Sequence, residues 1–261
     1  VVAIAAGADT SIALTADGSV YTWGGGESNA TKVLDNATQV DAKGEQFTAV
    51  SVDGSAYAWN KNETPTKVEG LSNVITSAAG GNHAMAVLSD GNVYTWGLNN
   101  RGQLGLGYDP SVRDMVMSPE RVTLTDSNAK TVELTDIVKV SVGTYHTVAL
   151  SRSGIVYAWG WNDYGQIGND SNSSQSYSST PVIVKSLNKV VDISRGSGGQ
   201  TVYAIRYDGS VWAWGSNDSG QIDVNSINTK IYREPTEVKL KVGNTDYSND
   251  CLLYTSPSPR D

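Results

Sequence analysis

A glycine followed five residues later by a tryptophan recurs five times along this chain: Gly18/Trp23, Gly54/Trp59, Gly91/Trp96, Gly154/Trp159 and Gly209/Trp214. Each pair sits in one recurring phrase: ADGSVYTWG at 16–24, VDGSAYAWN at 52–60, SDGNVYTWG at 89–97, RSGIVYAWG at 152–160 and YDGSVWAWG at 207–215. Such self-similarity constrains the fold more than composition can, because every copy must adopt the same supersecondary unit. In each, two β-prone runs flank an Asp-Gly or Ser-Gly pair, which signals a hairpin. The adjacent Asp and Gly predict a type I′ turn, with positive φ at both positions.

Two further elements travel with the phrase. Upstream lie small-residue strands ending in glycine, at 2–7, 75–80, 138–143 and 191–196. Downstream comes a segment led by Pro65, Pro119, Pro181 or Pro235, with Ala30 in that slot of the first unit. Proline cannot donate to a ladder, so these segments read as outermost strands that begin at the proline. Each unit is therefore about four strands. Val20 points to one face while Tyr21 and Trp23 alternate around it, so both faces need cover. A row of four-stranded sheets, each sandwiched by its neighbours, supplies that cover, and the expected fold is an all-β, four-stranded-blade β-propeller. The units run about 1–36, 37–70, 71–124, 135–186 and 187–240. Residues 241–250 read as the start of an incomplete sixth unit or a linker. The ending CLLYTSPSPRD at 251–261 is unlike anything upstream and reads as a non-native tail.

Taken together, the small-residue strand, the D-G-x-V-Y-x-W-G phrase, an N-x-x-G-Q-[LI]-G element and the proline segment resemble the regulator of chromosome condensation repeat family. The fullest copies run Asn99 to Gly105 and Asn162 to Gly168; the fifth ends Gln221-Ile222-Asp223, and the first two units lack the element. The resemblance covers about residues 1–240. It implies a propeller of seven blades, which makes five units a fragment of a ring, with a complete five-bladed ring as the alternative. It also implies a second function class, guanine-nucleotide exchange on a small GTPase. No basic tail is present for that role, and no inserted hairpin is visible.

Charge narrows the partners. The formal net charge is −8 and no basic run exists, which excludes a duplex nucleic-acid partner that needs clustered Lys and Arg. No apolar run approaches the roughly 20 residues of a membrane span, so no membrane insertion is expected. Cys251 is the single cysteine, so no disulfide can form within the chain. The acidic, Asn/Ser/Thr-rich composition reads as a bacterial protein of the cell surface or exterior, with a cytoplasmic protein as the alternative.

Most residues that suggest chemistry have a simpler role. Asp17, Asp53, Asp90 and Asp208 are ordinary turn residues, replaced once by Ser153. An aspartate box of the sialidase kind would place the aromatic five residues after Asp, whereas here it lies six after. A glycosidase also needs two positioned carboxylates, and no pair can be nominated. His83 and His146 occupy matching slots that hold Thr10, Gln46 and Thr201 elsewhere, which reads as a hydrogen-bonding structural position rather than a metal site. No enzyme activity, metal or cofactor is therefore expected.

The connection from tryptophan to outer strand is 7 and 6 residues in the first two units but 23, 22 and 21 in the last three. That asymmetry marks where a partner would sit. Within N-x-x-G-Q the Asn, Gly and Gln read as turn-builders, while the variable positions supply Asn100, Arg101, Asp163, Tyr164 and Asp218 as candidate contacts. Tyr108, Arg113, Met115, Val116 and Met117 read as an adaptable apolar cluster, and Trp161 interrupts the pattern beside them. The expected function is a non-catalytic scaffold that binds a protein or glycan through this rim, with exchange on a small GTPase as the alternative and a sialidase-like glycoside hydrolase propeller as the remoter one.

Overall fold

The computed structural model describes residues 1–125, 130–169, 176–194, 200–223, 228–239, 241–242 and 245–246. Five four-stranded antiparallel sheets dominate it, each a simple meander in sequence order. Blade one holds β1 (Ala3–Ala6), β2 (Thr10–Leu14), β3 (Val20–Gly24) and β4 (Glu27–Leu34). Blade two holds β5 (Ala37–Lys43), β6 (Gln46–Ser51), β7 (Ala56–Asn60) and β8 (Thr66–Lys67). Blade three holds β9 (Val74–Ala79), β10 (His83–Leu88), β11 (Val93–Leu98) and β12 (Met115–Arg121). A two-stranded hairpin follows, β13 (Thr123–Thr125) with β14 (Thr131–Glu133). Blade four holds β15 (Ile137–Val142), β16 (His146–Ser151), β17 (Val156–Trp161) and β18 (Tyr177–Ile183). Blade five holds β19 (Val190–Ile193), β20 (Thr201–Arg206), β21 (Val211–Ser216) and β22 (Ile231–Glu237). These are the blades of a β-propeller. Beyond them β23 (Lys241–Val242) pairs with β24 (Thr245–Asp246), and the rest of 241–261, including Cys251, lies outside the described residues.

The core lies between blades. Val20, Ile12 and Leu14 of blade one share a cluster with Val40, Phe47 and Trp59 of blade two. Trp96 packs on Val50 and Ala56, Trp159 on Met85 and Val93, and Trp214 on Val148 and Val156, each against the blade before it. Burying such a ring contributes at most about 4–6 kcal/mol by apolar area. Trp23, with no preceding blade among the described residues, is only half-buried.

The repeated turn differs from expectation. Gly18, Gly54, Gly91, Gly154 and Gly209 have φ between 74° and 84°, but the residues before them do not have positive φ. The Gly18 N–H donates to Thr15 O (3.0 Å), and the Thr15 N–H to Ser19 O (3.0 Å). This is a type I turn closed by a left-handed glycine bulge, not type I′, so only the glycine needs positive φ. The carbonyl of this glycine then receives the first N–H of the next blade: Ala37 to Gly18 (2.9 Å), Val74 to Gly54 (3.0 Å), Ile137 to Gly91 (3.2 Å) and Val190 to Gly154 (3.2 Å). The preceding residue, Asn36, Asn73, Asp136 or Lys189, is itself left-handed at φ 52° to 62°. Its carbonyl accepts from the hairpin of the following blade, as Asn36 O does from the Val52 N–H (2.8 Å), so the residue bridges the two hairpins.

The outer prolines also differ from expectation. Pro119, Pro181 and Pro235 do not start their strands, for β12, β18 and β22 begin four residues earlier at Met115, Tyr177 and Ile231. Each proline falls where the register slips opposite Trp96, Trp159 or Trp214. A bulge leaves one residue out of the ladder, which removes the penalty for a missing N–H. The hairpin β13–β14 was not expected either.

Candidate functional site

In a four-stranded meander the first and third connections lie at one end of the blade, and the second at the other. The glycine hairpins therefore occupy one end of the propeller. The long connections of blades three to five occupy the opposite end, beside the turns that precede His83 and His146.

The N-x-x-G-Q element is built from the inside. Asn99, Gln103, Asn162, Gln166 and Asn217 are buried. Asn99 Oδ1 accepts from the Leu104 N–H (3.2 Å), its Nδ2 donates to Arg113 O (3.0 Å), and the Gln103 side chain turns back to accept from the Arg101 N–H (2.7 Å). This much fits the expected turn-building role. The unexpected part is the neighbour: Trp159 Nε1 of blade four donates to Gln103 O (2.9 Å), and Trp214 Nε1 of blade five donates to Gln166 O (2.8 Å). Thr147 Oγ1 also donates to Gln103 O (3.2 Å). The loop closes over the indole so tightly that a Cβ on Gly105 (φ 72°) would stand 2.7 Å from Trp159 Nε1. The element is thus a clasp between consecutive blades. The pairing of long loops with the tryptophan of the following unit was the sequence signal for it.

The clasp leaves the variable positions outside. Asn100, Arg101, Asp163 and Asp218 are exposed, and Tyr164 is half-buried. Trp161 is wedged edge-on between Tyr145 (6.0 Å between ring centres) and Tyr164 (5.3 Å), and its N–H donates to Asp163 Oδ2 (2.7 Å). Gly107 N donates to Ser179 O (2.7 Å), which lays the blade-three loop along β18. A Cβ on Gly102 would meet Ser178 O, so the Arg101–Gly102 turn lies beside Tyr177, the residue opposite Trp161. Asp218 accepts from Ser216 Oγ (3.1 Å) within its own turn.

The 108–117 segment divides into a brace and an exposed strip. The Arg113 guanidinium stacks over the Tyr108 ring (4.2 Å) and pairs with Glu120, and Tyr108 Oη donates to Glu120 Oε2 (2.7 Å). That hydrogen bond to Glu120 holds the Tyr108 phenol above its ordinary pKa, and the same carboxylate raises Arg113. Tyr108 and Arg113 therefore hold the loop. Met115 and Met117 are 47% and 85% exposed, while Val116 is 2% exposed. Val116 leaves the expected cluster because side chains alternate along β12. Val112, 84% exposed, joins the strip; it was missed, as were Tyr145 and Tyr177.

The remaining candidates are structural. Asp17, Asp53, Asp90 and Asp208 each accept the N–H two residues on, at 2.9–3.2 Å. Hydrogen bonds from the Ser51 hydroxyl and the Ser55 N–H lower Asp53 to about 2. His83 and His146 are buried with their rings stacked over Gly80 and Gly143. The expectation of hydrogen-bonded histidines fails at His83, where neither ring nitrogen has a partner among the described residues. Burial, with His146 nearby, lowers His83 to about 3; burial and the Lys43 charge lower His146 to about 4. Among the described residues no three His, Cys, Asp or Glu side chains cluster as metal ligands. No helix there is long and apolar enough to cross a membrane.

Known proteins share this architecture. The RCC1-like domain family model matches residues 1–251. The Schizosaccharomyces pombe protein pim1 is 29% identical over 249 residues, which is 91% of this chain and 41% of pim1. The probable E3 ubiquitin-protein ligase HERC6 of Homo sapiens is 30% identical over 174 residues, 66% of this chain and 16% of its own length. The crystal structure of Prp20p from Saccharomyces cerevisiae superposes with a TM-score of 0.78 at 22% identity, covering 92% of this chain and 64% of that one. The chain spans less than two thirds of each of these relatives.

Proposed function

We propose that this chain, which belongs to the RCC1-like domain family, is a protein-binding scaffold that engages its partner through the long-loop end of blades three and four. The exposed apolar residues Val112, Met115 and Met117 carry this reading, because they belong to a long connection and outer strand on the same end of the propeller as the fixed Trp161–Tyr164 pair. Methionine adapts to a partner's shape, and an aromatic pair supplies rigid contact area. The clasp below holds both in place, so little order has to be gained on binding. Among the described residues no paired carboxylates or nucleophile–base pair accompanies them, and we read the scaffold as non-catalytic.

Prp20p has been described together with its binding to Gsp1p and histones. A net charge of −8 suits a partner with a basic face. The direct test titrates Gsp1p and core histones into the protein and into the Arg101→Ala, Met115→Ser, Met117→Ser, Tyr164→Ala variant. Tenfold or greater loss in the variant supports the rim, and unchanged affinity defeats it.

One observation favours a second reading, nucleotide exchange on a small GTPase. The inserted hairpin β13–β14 stands between blades three and four, which is the kind of insertion that activity was expected to need. Its test is whether the protein, at catalytic concentration, speeds release of a fluorescent guanine nucleotide.

A further inference from the structure

We propose that the junction of blades one and two is a peptide-binding cavity, built to take an aliphatic side chain and the backbone carbonyl before it from a partner protein with a basic residue within a few positions. The argument starts from the clasp. At the junction of blades three and four, Gln103 and Leu104 of one blade cover the tryptophan of the next, with Leu104 fully buried and Gln103 O on the indole N–H. Blade one has no such element, because β3 runs through Gly24-Gly25-Gly26 into β4. What the clasp fills over Trp159 and Trp214 is here a cavity of about 210 Å³. One ordered water needs on the order of 15 Å³, so the space is far larger than a hydration site.

The walls match those under the clasp. Trp59 pairs with Phe47 across β7 and β6 in the register in which Trp159 pairs with Thr147. Phe47 stacks on Trp59 (5.5 Å between ring centres, 24° between planes), giving an aromatic floor. Trp23 of blade one closes the other side. Trp159 and Trp214 each give their indole N–H to a clasp carbonyl. Trp59, at the equivalent place, has no hydrogen-bond partner among the described residues. A carbonyl arriving from outside would take that donor as Gln103 O does, and the side chain following it would lie where Leu104 lies.

The rim sets the charge of the ligand. Glu27 and Glu63 line the cavity with Lys61. Lys61 is held by Asp9 (2.7 Å), and Glu63 accepts the Asn60 N–H (3.0 Å). Two carboxylates therefore outweigh a cation that is already paired, which favours a Lys or Arg within a few positions of the aliphatic residue.

The probe is the chain's own clasp as a synthetic peptide, acetylated and amidated, with the sequence of Asn99–Gly107, which carries an arginine. Calorimetric titration into the full chain should give saturable binding. The same peptide with Leu104→Ser should bind at least about tenfold more weakly, since it loses the buried apolar contact that follows the carbonyl. Thr31 lies on the exposed strand β4 and lines the cavity, so Thr31→Trp fills it from outside without disturbing the core. That variant should lose peptide binding while keeping the melting temperature of the parent. Glu27→Lys should weaken binding several-fold, and less so as salt rises. No saturable heat at millimolar peptide would overturn the proposal. So would equal affinity for Thr31→Trp, which would mean that the peptide displaces the internal clasp at Trp159 instead.

Discussion

Trp159 of blade four gives its indole N–H to the backbone carbonyl of Gln103 in blade three, across 2.9 Å of buried interface. A side chain of one repeat thus completes the main chain of another. Removing the donor leaves a buried carbonyl with only Thr147 Oγ1 as partner. Trp159→Phe should therefore cost about 2–4 kcal/mol, from lost packing and the weakened hydrogen bond together. Gly105→Ala should cost about 2 kcal/mol or more, because its φ of 72° and the indole 2.7 Å from the new Cβ both oppose it. Urea unfolding curves of the two variants would check both figures.

The glycine hairpins invite a sharper comparison. A Cβ on Gly91 (φ 80°) would lie 2.6 Å from Asp136 N, which is backbone and cannot step aside. A Cβ on Gly26 (φ 103°) would meet nothing. Both alanine variants carry conformational strain of about 1–2 kcal/mol, but only Gly91→Ala also breaks the seam between blades three and four. Gly91→Ala should unfold at clearly lower urea, and hydrogen exchange should show early opening at Ile137. Equal midpoints for the two variants would mean that this seam contributes little.

Acidification should act through the histidines before the carboxylates. His83 and His146 are held neutral, near 3 and 4, while in the unfolded chain they titrate near the ordinary 6.5. Between those values the unfolded state binds more protons than the folded one, so stability is full above pH 6.5 and falls as pH drops toward 4. The slope approaches roughly 1.4 kcal/mol per pH unit for each histidine. Asp53, lowered to about 2, adds its loss only below the usual carboxylate range. A His83→Gln, His146→Thr double variant, with side chains borrowed from the matching slots at Gln46 and Thr201, should show a flat profile from pH 6.5 to 4.5.

The loop brace gives a fourth expectation. Glu120 accepts from both Tyr108 and Arg113, so Glu120→Gln removes the charge that raises them. The 108–114 segment should then show faster amide exchange with little change in melting temperature. Partner affinity at the rim should fall several-fold through lost order rather than lost contact.

The sequence carried the meander clearly, because five copies of one hairpin and one tryptophan leave few ways to bury both faces of a strand. It carried the clasp only in part. Asn99, Gly102 and Gln103 read as a turn, yet their chief partner, Trp159, lies 56 residues away in another unit. Periodicity reports what a repeat contains, not which neighbour completes it. The hairpin β13–β14 was invisible because its strands are three residues each and its sequence is not repeated. Pro119 was placed at a strand start because local chemistry forbids it in a ladder. The bulge opposite Trp96 that accommodates it forms only when β11 and β12 pair. Val116 was grouped with Met115 and Met117 by adjacency, and alternation on β12 then turned it inward.

The bulged prolines bear on how the molecule meets its surroundings. An outermost strand presents a row of unpaired amides, and a wheel of such strands presents that row repeatedly around its perimeter. Pro119, Pro181 and Pro235 interrupt the row in the three later blades, and β8 is only two residues long. Among the described residues the perimeter is thus protected by proline or by brevity at every blade but the first, where the matching bulge opposite Trp23 carries no proline. There β4 runs eight residues without a proline, and Lys32 with its neighbour Asp35 is the charged pair that guards it. Strand-on-strand association with another copy, if crowding forces it, begins along Glu27–Leu34.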